Sequence, residues 1–295
     1  MSNASIPSVY TQRATCILHP TDFTPQSDFA LAHALRLAIT NKAELHILHV
    51  GHDSDDENWE KFPSVRKILK QWGMIGENAS RSEVTELGIR IEKITKVIGT
   101  KESVAESIED YCALHPIDLI VLATNARAGL AALIKPSTAE KIASKVSSLM
   151  IPVLFVPAKS HGCVAIDSGK VSMENVLVPV DHHPSSDGAV ESALRALVAF
   201  GSEKSNLTLL HVGSAASFPV VDIPEGSWQI ERVVRQGNPA AEILSAAEES
   251  KSNLIIMVTA GTEGWMDVIR GTTTEQVVRE SPCPVLTIST LDSVR

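Results

Sequence analysis

The sequence predicts an α/β protein made of two tandem doubly wound domains, each with a five-stranded, mostly parallel sheet flanked by helices. Two observations lead to this fold class. Short runs rich in Val, Ile and Leu alternate with helical patterns, as expected of parallel strands that are buried on both faces. The same series of segments then occurs a second time along the chain, so we expect two units with right-handed crossovers.

The repeat can be followed strand by strand. The first strands, CILHP and NVLVP, each end in a Pro that is followed two residues later by an Asp. The second strands, ELHILHV and NLTLLHV, both end in His-Val. The segments IRIEKITKVIG and SWQIERVVRQG correspond, and each precedes an acidic helix. The fourth strands, IDLIVLAT and SNLIIMVT, also match, as do the fifth strands, IPVLFVP and CPVLTIS. We therefore expect domains at residues 13–158 and 173–291, joined by a linker at 159–172 without regular structure.

Composition limits the possible partners. A chain of 295 residues can bury two cores, and 44% apolar with 21% charged residues is ordinary for globular protein. The net charge of −9 argues against nucleic acid, because phosphate contacts need a basic face. The start of the sequence does not read as a secretion signal, no run reads as a membrane span, and the four cysteines form no CxxC pair. We expect a cytoplasmic protein with buried thiols and no membrane partner.

The halves differ after the second strand. In NWEKFPSVRKILKQW of the first half, large apolar residues recur at three- and four-residue spacing, which predicts one amphipathic helix packed on the first domain. Its two tryptophans leave a role in an interface open. The second half has the shorter loop GSAASFPVVDIPEG at this place.

The loop after the fourth strand carries the strongest functional signal, since open parallel sheets bind ligands at the carboxyl ends of their strands. In the second half, Thr272 and Glu275 have the spacing of a capping box at a helix start, where free amides attract anions. Glycine lets a phosphate approach the backbone, and the Thr272 and Thr273 hydroxyls can add hydrogen bonds. The alternative is an ordinary turn and helix entry. The glycines of this loop are Gly261, Gly264 and Gly271.

The matching loop of the first half keeps a capping box, from Ser137 to Glu140, and Gly129 at the position of Gly264, but it lacks the other two glycines. Ala126 adds a Cβ where the second half has Gly261, and Pro136 replaces Gly271. Proline has no N–H and a fixed φ, so one donor for an anion is missing. We therefore expect a phosphate-binding loop that is degenerate in the first domain and partly retained in the second.

This arrangement resembles the universal stress protein family over residues 13–158 and 173–291. Nucleotide-binding members carry the motif Gly-x-x-Gly-x9-Gly-(Ser/Thr) after strand four. The corresponding residues are Val258, Gly261, Gly271 and Thr272 in the second half, and Ala123, Ala126, Pro136 and Ser137 in the first. The resemblance implies the adenine nucleotide alpha hydrolase-like, Rossmann-like fold, with the two halves paired across their final strands as a pseudo-dimer.

The resemblance also implies roles for residues at other strand ends. Asp181, which follows Pro179 after the first strand, is expected at a ribose or a nucleotide-bound Mg²⁺, and Val212 at the adenine edge. A Gly-x-Pro helix start is present only in the second half, at Gly237. From the residues alone, Asp181 can equally be a helix cap, and capping is the favoured interpretation of its counterpart Asp22.

Other polar residues are given structural interpretations. The group Asp181, His182, His183 and Asp187 invites a metal site, but solvated loop histidines are the expected outcome, and no metal is predicted. His49 and His211 recur at one position of both halves and are expected to serve the junction of strand and loop. Cys283 is expected to be buried rather than reactive.

The sequence thus favours a stress-response protein that binds an adenine nucleotide, ATP with or without Mg²⁺, in the C-terminal domain. It shows no general base, nucleophile or arginine clamp for phosphoryl transfer, so a regulatory role with at most slow hydrolysis is expected. Val258 in place of the motif glycine supports the alternative of an interaction module that binds no nucleotide. A nucleotide-using enzyme is a third, weaker hypothesis. A homodimer and further protein partners are also expected, since the fold leaves sheet edges to cover.

Overall fold

The protein is described by a computed structural model over residues 14–51, 56–98, 102–124, 138–158, 162–182, 189–202, 204–221, 223, 229–260 and 273–290. The strands of the first half are β1 (Cys16–Thr21), β2 (Glu44–Gly51), β3 (Arg90–Val97), β4 (Leu119–Thr124) and β5 (Val153–Pro157). Those of the second half are β6 (Asn175–Pro179), β7 (Asn206–Val212), β8 (Gln229–Arg235), β9 (Leu254–Ala260) and β10 (Val285–Thr290).

The ten strands form one sheet in the order β3-β2-β1-β4-β5-β10-β9-β6-β7-β8. Neighbouring strands within each half are parallel, and the junction between β5 and β10 is antiparallel. Each half therefore contributes five parallel strands. The predicted fold class is confirmed.

Helices cover both faces of this sheet. Those of the first half are α1 (Pro25–Asn41), α2 (Asp56–Lys61), α3 (Val65–Gln71), α4 (Arg81–Glu86), α5 (Val104–Leu114) and α6 (Thr138–Val146). Those of the second half are α7 (Ala189–Ala199), α8 (Pro239–Glu249) and α9 (Thr273–Glu280). One hydrophobic core lies between one face of the sheet and helices α1, α3 and α7. The other lies between the opposite face and helices α5, α6, α8 and α9.

The strand sequences explain the two cores. Successive side chains of a strand point to opposite faces, so Ile17 enters the core under α1 and Leu18 the core under α5. Because both faces are covered, the central strands are apolar at nearly every position rather than at alternate ones. The outer strands β3 and β8 alternate between exposed and partly buried residues, as expected at the two ends of the sheet.

The two halves meet at a pseudo-two-fold axis. In the antiparallel pairing, Leu154 of β5 lies opposite Leu286 of β10, and these two leucines occupy the same position of the repeat. The helices of the two halves also meet. Arg279 of α9 donates from Nε and Nη2 to the two carboxylate oxygens of Glu140 in α6, at 2.7 and 3.2 Å, and also contacts Glu275. All three side chains are largely buried. The pseudo-dimer implied by the family resemblance is present.

The insertion after β2 does not form the single helix that its spacing predicts. It forms α2 and α3, which are separated at Pro63, because proline lacks an N–H and restricts the residue before it. The Ser64 hydroxyl then accepts from the Lys67 N–H at 3.4 Å and caps α3. The predicted packing on the first half is nevertheless right, since Phe62 lies in an aromatic cluster with Phe23. Of the large apolar residues in this segment, Trp59 is partly buried and four are buried: Phe62, Val65, Leu69 and Trp72.

The predicted linker is ordered where it is described, from residue 162 onward. Val164 and Val171 form an antiparallel bridge, and Cys163 and Val164 are buried. The Val164 N–H donates to His33 Nε2 at 3.2 Å, and Trp72 Nε1 donates to the Ile166 carbonyl at 2.8 Å. The described part of the linker is therefore anchored on the first half by these contacts.

We expect Arg279→Gln to lower the free energy of unfolding by about 3–5 kcal/mol, because it leaves two buried carboxylates near each other without their shared cation. Arg195→Gln is the matched control: it also removes an arginine–glutamate contact at i,i+4 spacing, but both of its side chains are 40% exposed or more. That control should cost less than about 1 kcal/mol in urea unfolding. Equal losses in the two variants would contradict a stabilising role for the contact between the halves.

Buried His33 should make stability depend on pH. Its Nδ1–H donates to the Phe29 carbonyl at 2.7 Å while Nε2 accepts from Val164, so the neutral ring satisfies both nitrogens. Burial lowers the pKa of His33 from 6.5 to about 4, partly offset by the Phe29 carbonyl. Between these values the unfolded chain binds a proton that the native state does not, so stability falls as pH falls, by up to about 1.4 kcal/mol per pH unit. His33→Gln should show a shallower slope in urea unfolding at pH 6.5 to 4; an unchanged slope would refute this.

Candidate functional site

Each half has one cleft at the carboxyl edge of its strands. In the second half it lies where β6 sits between β7 and β9, the point at which the strand order reverses. The cavity has a volume of ≈ 160 Å³ and is bounded by strand ends and by the first residues of α8 and α9. Its lining residues are Pro179, Val180, Asp181, Ala189, Leu210, Val212, Pro239, Ile243, Met257, Val258, Thr273 and Thr274.

The cleft brings together residues that the sequence placed far apart. Five of the predicted site residues line it: Pro179, Asp181, Val212, Val258 and Thr273. The other four, Gly261, Gly264, Gly271 and Thr272, lie outside the described residues. The other seven lining residues were not predicted as site residues, among them Leu210, Ile243, Met257 and Thr274. Extending the hydroxyl run by one residue could have found Thr274.

The lining of this cleft has two chemically different parts. Leu210, Ile243 and Met257 provide apolar surface. The other part is polar, with the exposed Asp181 carboxylate and the hydroxyl side chains of Thr273 and Thr274. Such a combination can hold a ligand with one flat apolar part and one anionic part.

Asp181 is oriented by the loop that it begins. Its Oδ1 accepts from the His182 N–H at 2.8 Å, and His182 Nε2 donates in turn to the Ser217 carbonyl at 3.0 Å. His182 thus ties the loop after β6 to the loop after β7. Among the described residues, no candidate metal-ligand group contains Asp181 or His182. The rest of that sequence group, His183 and Asp187, lies outside the described part of the chain.

The repeated histidines are confirmed as links between strand and loop. His211 Nδ1 donates to the Val180 carbonyl at 3.1 Å, and its counterpart His49 donates to the Thr21 carbonyl at 2.9 Å. In both halves the side chain fixes the end of the first strand to the second. Because Asp181 follows Val180 directly, this bond also positions the polar side of the cleft.

Helix α8 starts at the Gly-x-Pro motif, as the sequence predicts. Gly237 has a φ of +142°, a conformation that residues with a side chain rarely adopt, and an added Cβ would lie 2.8 Å from Glu242 Oε1. Asn238 then caps the helix by accepting from the Ala241 N–H at 3.1 Å, and Pro239 occupies the first turn. The α8 N-terminus therefore opens beside the cleft.

The first half retains a cleft at the corresponding place, with a volume of ≈ 230 Å³. Its lining includes Asp22, Val50, Ala123 and Thr138, the counterparts of residues in the second cleft. Asp22 was expected to cap α1, but its Oδ1 accepts from the N–H and hydroxyl of Thr24, at 3.1 and 2.6 Å, and Thr24 is the cap residue. The loss of motif glycines therefore leaves the strand-end cavity of the first half in place.

The cysteines are all buried, as predicted. Burial raises the pKa of the Cys283 thiol to about 12, so this residue is a packed side chain and not a ready nucleophile. Of the helices that the structure describes, none combines the length and the apolar character needed to cross a membrane.

Fold and cleft define a paired, doubly wound α/β protein with ligand-sized cavities at its strand ends. The sequence profile of the universal stress protein family matches residues 15–157 and 225–289, and the chain belongs to this family.

Individual relatives agree with the family assignment. A universal stress protein of Methanocaldococcus jannaschii is 26% identical over 151 residues, which are 42% of this chain and 86% of the relative. A second one, from Thermus aquaticus, is 40% identical over 58 residues, 20% of this chain and 42% of that protein.

A solved universal stress protein from Archaeoglobus fulgidus superposes with a TM-score of 0.62 at 22% identity, covering 97% of this chain and 99% of the other. A functionally unknown protein from Pseudomonas aeruginosa superposes with a TM-score of 0.57 at 14% identity, covering 96% and 94%. At these identities the two superpositions show a shared fold.

Proposed function

We propose that the protein binds one adenine nucleotide, ATP, in the cleft of the second half and acts through this binding as a stress-response regulator. The observation that carries the proposal is the composition of that cleft, which combines apolar side chains, a carboxylate and a hydroxyl-bearing helix start. An adenine ring, a ribose and a phosphate chain need these three kinds of contact.

Each part of the cleft matches one part of the nucleotide. Leu210, Val212 and Met257 provide apolar surface for the adenine ring. Asp181 is exposed at the strand end, where its carboxylate can accept from ribose hydroxyls or coordinate a nucleotide-bound Mg²⁺.

The phosphates would lie at the helix starts. Free amides at the N-terminus of α9 and the Thr273 and Thr274 hydroxyls are donors for phosphate oxygens. The sequence-predicted residues Gly261, Gly264, Gly271 and Thr272 directly precede α9, and we assign them to the same phosphate group.

A regulatory role fits the ionisable groups of the cleft. Among its described lining residues Asp181 alone is ionisable, and no arginine or lysine is present to neutralise charge on a transferring phosphoryl group. We therefore propose binding with slow hydrolysis at most, so that the nucleotide acts as a ligand rather than a substrate.

One observation favours a second candidate function. Val258 lines the cleft where nucleotide-binding relatives carry glycine, and its branched side chain takes up space beside the helix start. A cleft narrowed in this way suits a protein-interaction module of the same fold that binds no nucleotide.

Matched aspartate variants test the location of the nucleotide. In calorimetric titration of ATP–Mg²⁺ into nucleotide-stripped protein, we expect one site per chain. Asp181→Ala should weaken binding about tenfold, the effect of losing roughly 1.4 kcal/mol of hydrogen bonding or metal coordination. Asp22→Ala, the same change in the first half, should leave affinity unchanged. Two sites per chain, each weakened by one of the variants, would place nucleotide in both halves and overturn the assignment.

Val258→Gly decides between the two functions. If the side chain only narrows a working nucleotide site, we expect the glycine variant to bind ATP–Mg²⁺ about three- to tenfold more tightly, because a phosphate can then approach the backbone. Ala123→Gly, the corresponding change in the first half, is the control and should have no effect. If wild-type protein binds no ATP, and Val258→Gly gains binding, the interaction module becomes the supported function.

A further inference from the structure

A cluster of potential metal ligands lies at the amino ends of β1, β2 and β3, on the opposite edge of the first half from its cleft. Cys16, Glu44 and His46 each present one ligand atom, and these atoms all lie within 4.8 Å of one another. Cys16 is 3% exposed and His46 is 5% exposed. We refer to these three residues together with Glu92 as the amino-end cluster.

Strand register produces the amino-end cluster. Cys16 of β1 lies opposite Glu44 of β2, and two residues further His46 lies opposite Glu92 of β3. Residues two apart on a strand share a face, so all four side chains point to the side covered by α5. Side chains from β1, β2 and β3 therefore lie on one face of the sheet at the amino ends of these strands.

His46 supplies the observation that points to a ligand. Its Nδ1 bonds the Tyr111 hydroxyl at 2.7 Å, which orients the ring. Its Nε2 is buried and has no hydrogen-bond partner among the described residues. Instead it faces Glu44 Oε2 at 3.6 Å and Glu92 Oε2 at 3.8 Å, both beyond ordinary hydrogen-bond length. A buried polar atom without a partner is rare because it costs free energy, and here it faces two carboxylates.

Arg90 fixes the direction of both carboxylates. Its Nε lies 3.1 Å from Glu44 Oε1 and its Nη2 lies 2.5 Å from Glu92 Oε1. The first oxygen of each glutamate is thus held by the arginine, while the second is turned toward His46. Groups outside a metal site commonly orient its ligands in this way, as Tyr111 does for the imidazole.

We propose that the amino-end cluster binds one divalent transition metal ion, with Zn²⁺ the best match, through Cys16 Sγ, His46 Nε2 and a carboxylate oxygen of Glu44, with Glu92 beside the imidazole. Zinc takes four sulfur, nitrogen and oxygen ligands in a tetrahedron at about 2.0–2.3 Å, which separates ligand atoms by about 3.3–3.8 Å. The distance of 3.6 Å from His46 Nε2 to Glu44 Oε2 already has this value. The three grouped ligands come from β1 and β2, which the ion would join.

The charges of the amino-end cluster suit a dication. A metal ion displaces the proton of a coordinating thiol, which is released to solvent. The Cys16 thiolate and the Glu44 and Glu92 carboxylates then carry three negative charges, which the metal ion and Arg90 neutralise together.

The second half shows what this corner looks like without ligands. The positions of Cys16 and Glu44 are taken by Asn175 and Asn206, which lie opposite each other in the same register. Asn206 Nδ2 donates to Asn175 Oδ1 at 3.1 Å, and Asn175 Nδ2 donates to the Ser250 carbonyl at 3.0 Å. Two neutral amides therefore satisfy the polar groups at this edge of the second half. The fold does not require the thiol, imidazole and carboxylates that the first half has at the same place.

Cobalt provides the direct test, since Co²⁺ takes zinc sites and a thiolate ligand gives it an intense near-ultraviolet charge-transfer band. Titration of metal-stripped protein with Co²⁺ should develop this band with one equivalent per chain, and Zn²⁺ should abolish it. Cys16→Ser should remove the band, and His46→Gln should weaken Co²⁺ binding by at least about tenfold. The control Cys283→Ser, which changes a buried thiol elsewhere, should retain both band and affinity.

Thermal unfolding checks that the variants fail in binding and not in folding. Zn²⁺ should raise the unfolding temperature of wild type and of Cys283→Ser, and should leave that of folded His46→Gln unchanged. Glu44→Gln, at a partly exposed position, should fold normally and bind Co²⁺ more weakly. Absence of the band at saturating Co²⁺, or a band that persists in Cys16→Ser, would overturn the proposal.

Discussion

The antiparallel pairing of β5 with β10 is the constraint on which the rest of the structure depends. Every residue of β5 is buried, so this strand as the edge of a separate five-stranded sheet would expose apolar side chains and a row of unpaired backbone groups. Joining it to β10 removes both edges at once. The strands left at the ends of the combined sheet are β3 and β8, whose many exposed positions suit contact with water.

Antiparallel joining also determines where the functional regions lie. Strands of the two halves run in opposite directions, so their carboxyl ends, and the two clefts, are on opposite edges of the sheet. The amino-end cluster of the first half is consequently on the same edge as the cleft of the second half, several strands away. A metal at one place and a nucleotide at the other would each occupy separate surface, without competing for side chains.

Much of the fold could be predicted because its causes are local. Runs of apolar residues mark the strands, and Gly237 with Asn238 and Pro239 marks the start of α8. The helix prediction failed where one residue overrides a pattern, because Pro63 divides the predicted helix. The contacts of Trp72 and His33 with the linker depend on packing and could not be predicted from local sequence. The cleft residues could be predicted in part, since strand ends converge in any parallel sheet. The amino-end cluster could not, because a slip of one residue in register would turn its side chains to the other face.

The contact of Arg279 with Glu140 and Glu275 has a consequence for symmetry. In a dimer of identical chains every side chain occurs twice, so an arginine beside the axis would always bring a second arginine with it. Here Ser144 occupies the position in the first half that corresponds to Arg279, and one cation is shared by two equivalent glutamates. Only two halves that differ in sequence can place a single cation between two equivalent glutamates. Covalent fusion thus gives this chain a heterodimer-like interface with a fixed one-to-one composition, in which each half can specialise without imposing the same change on its partner.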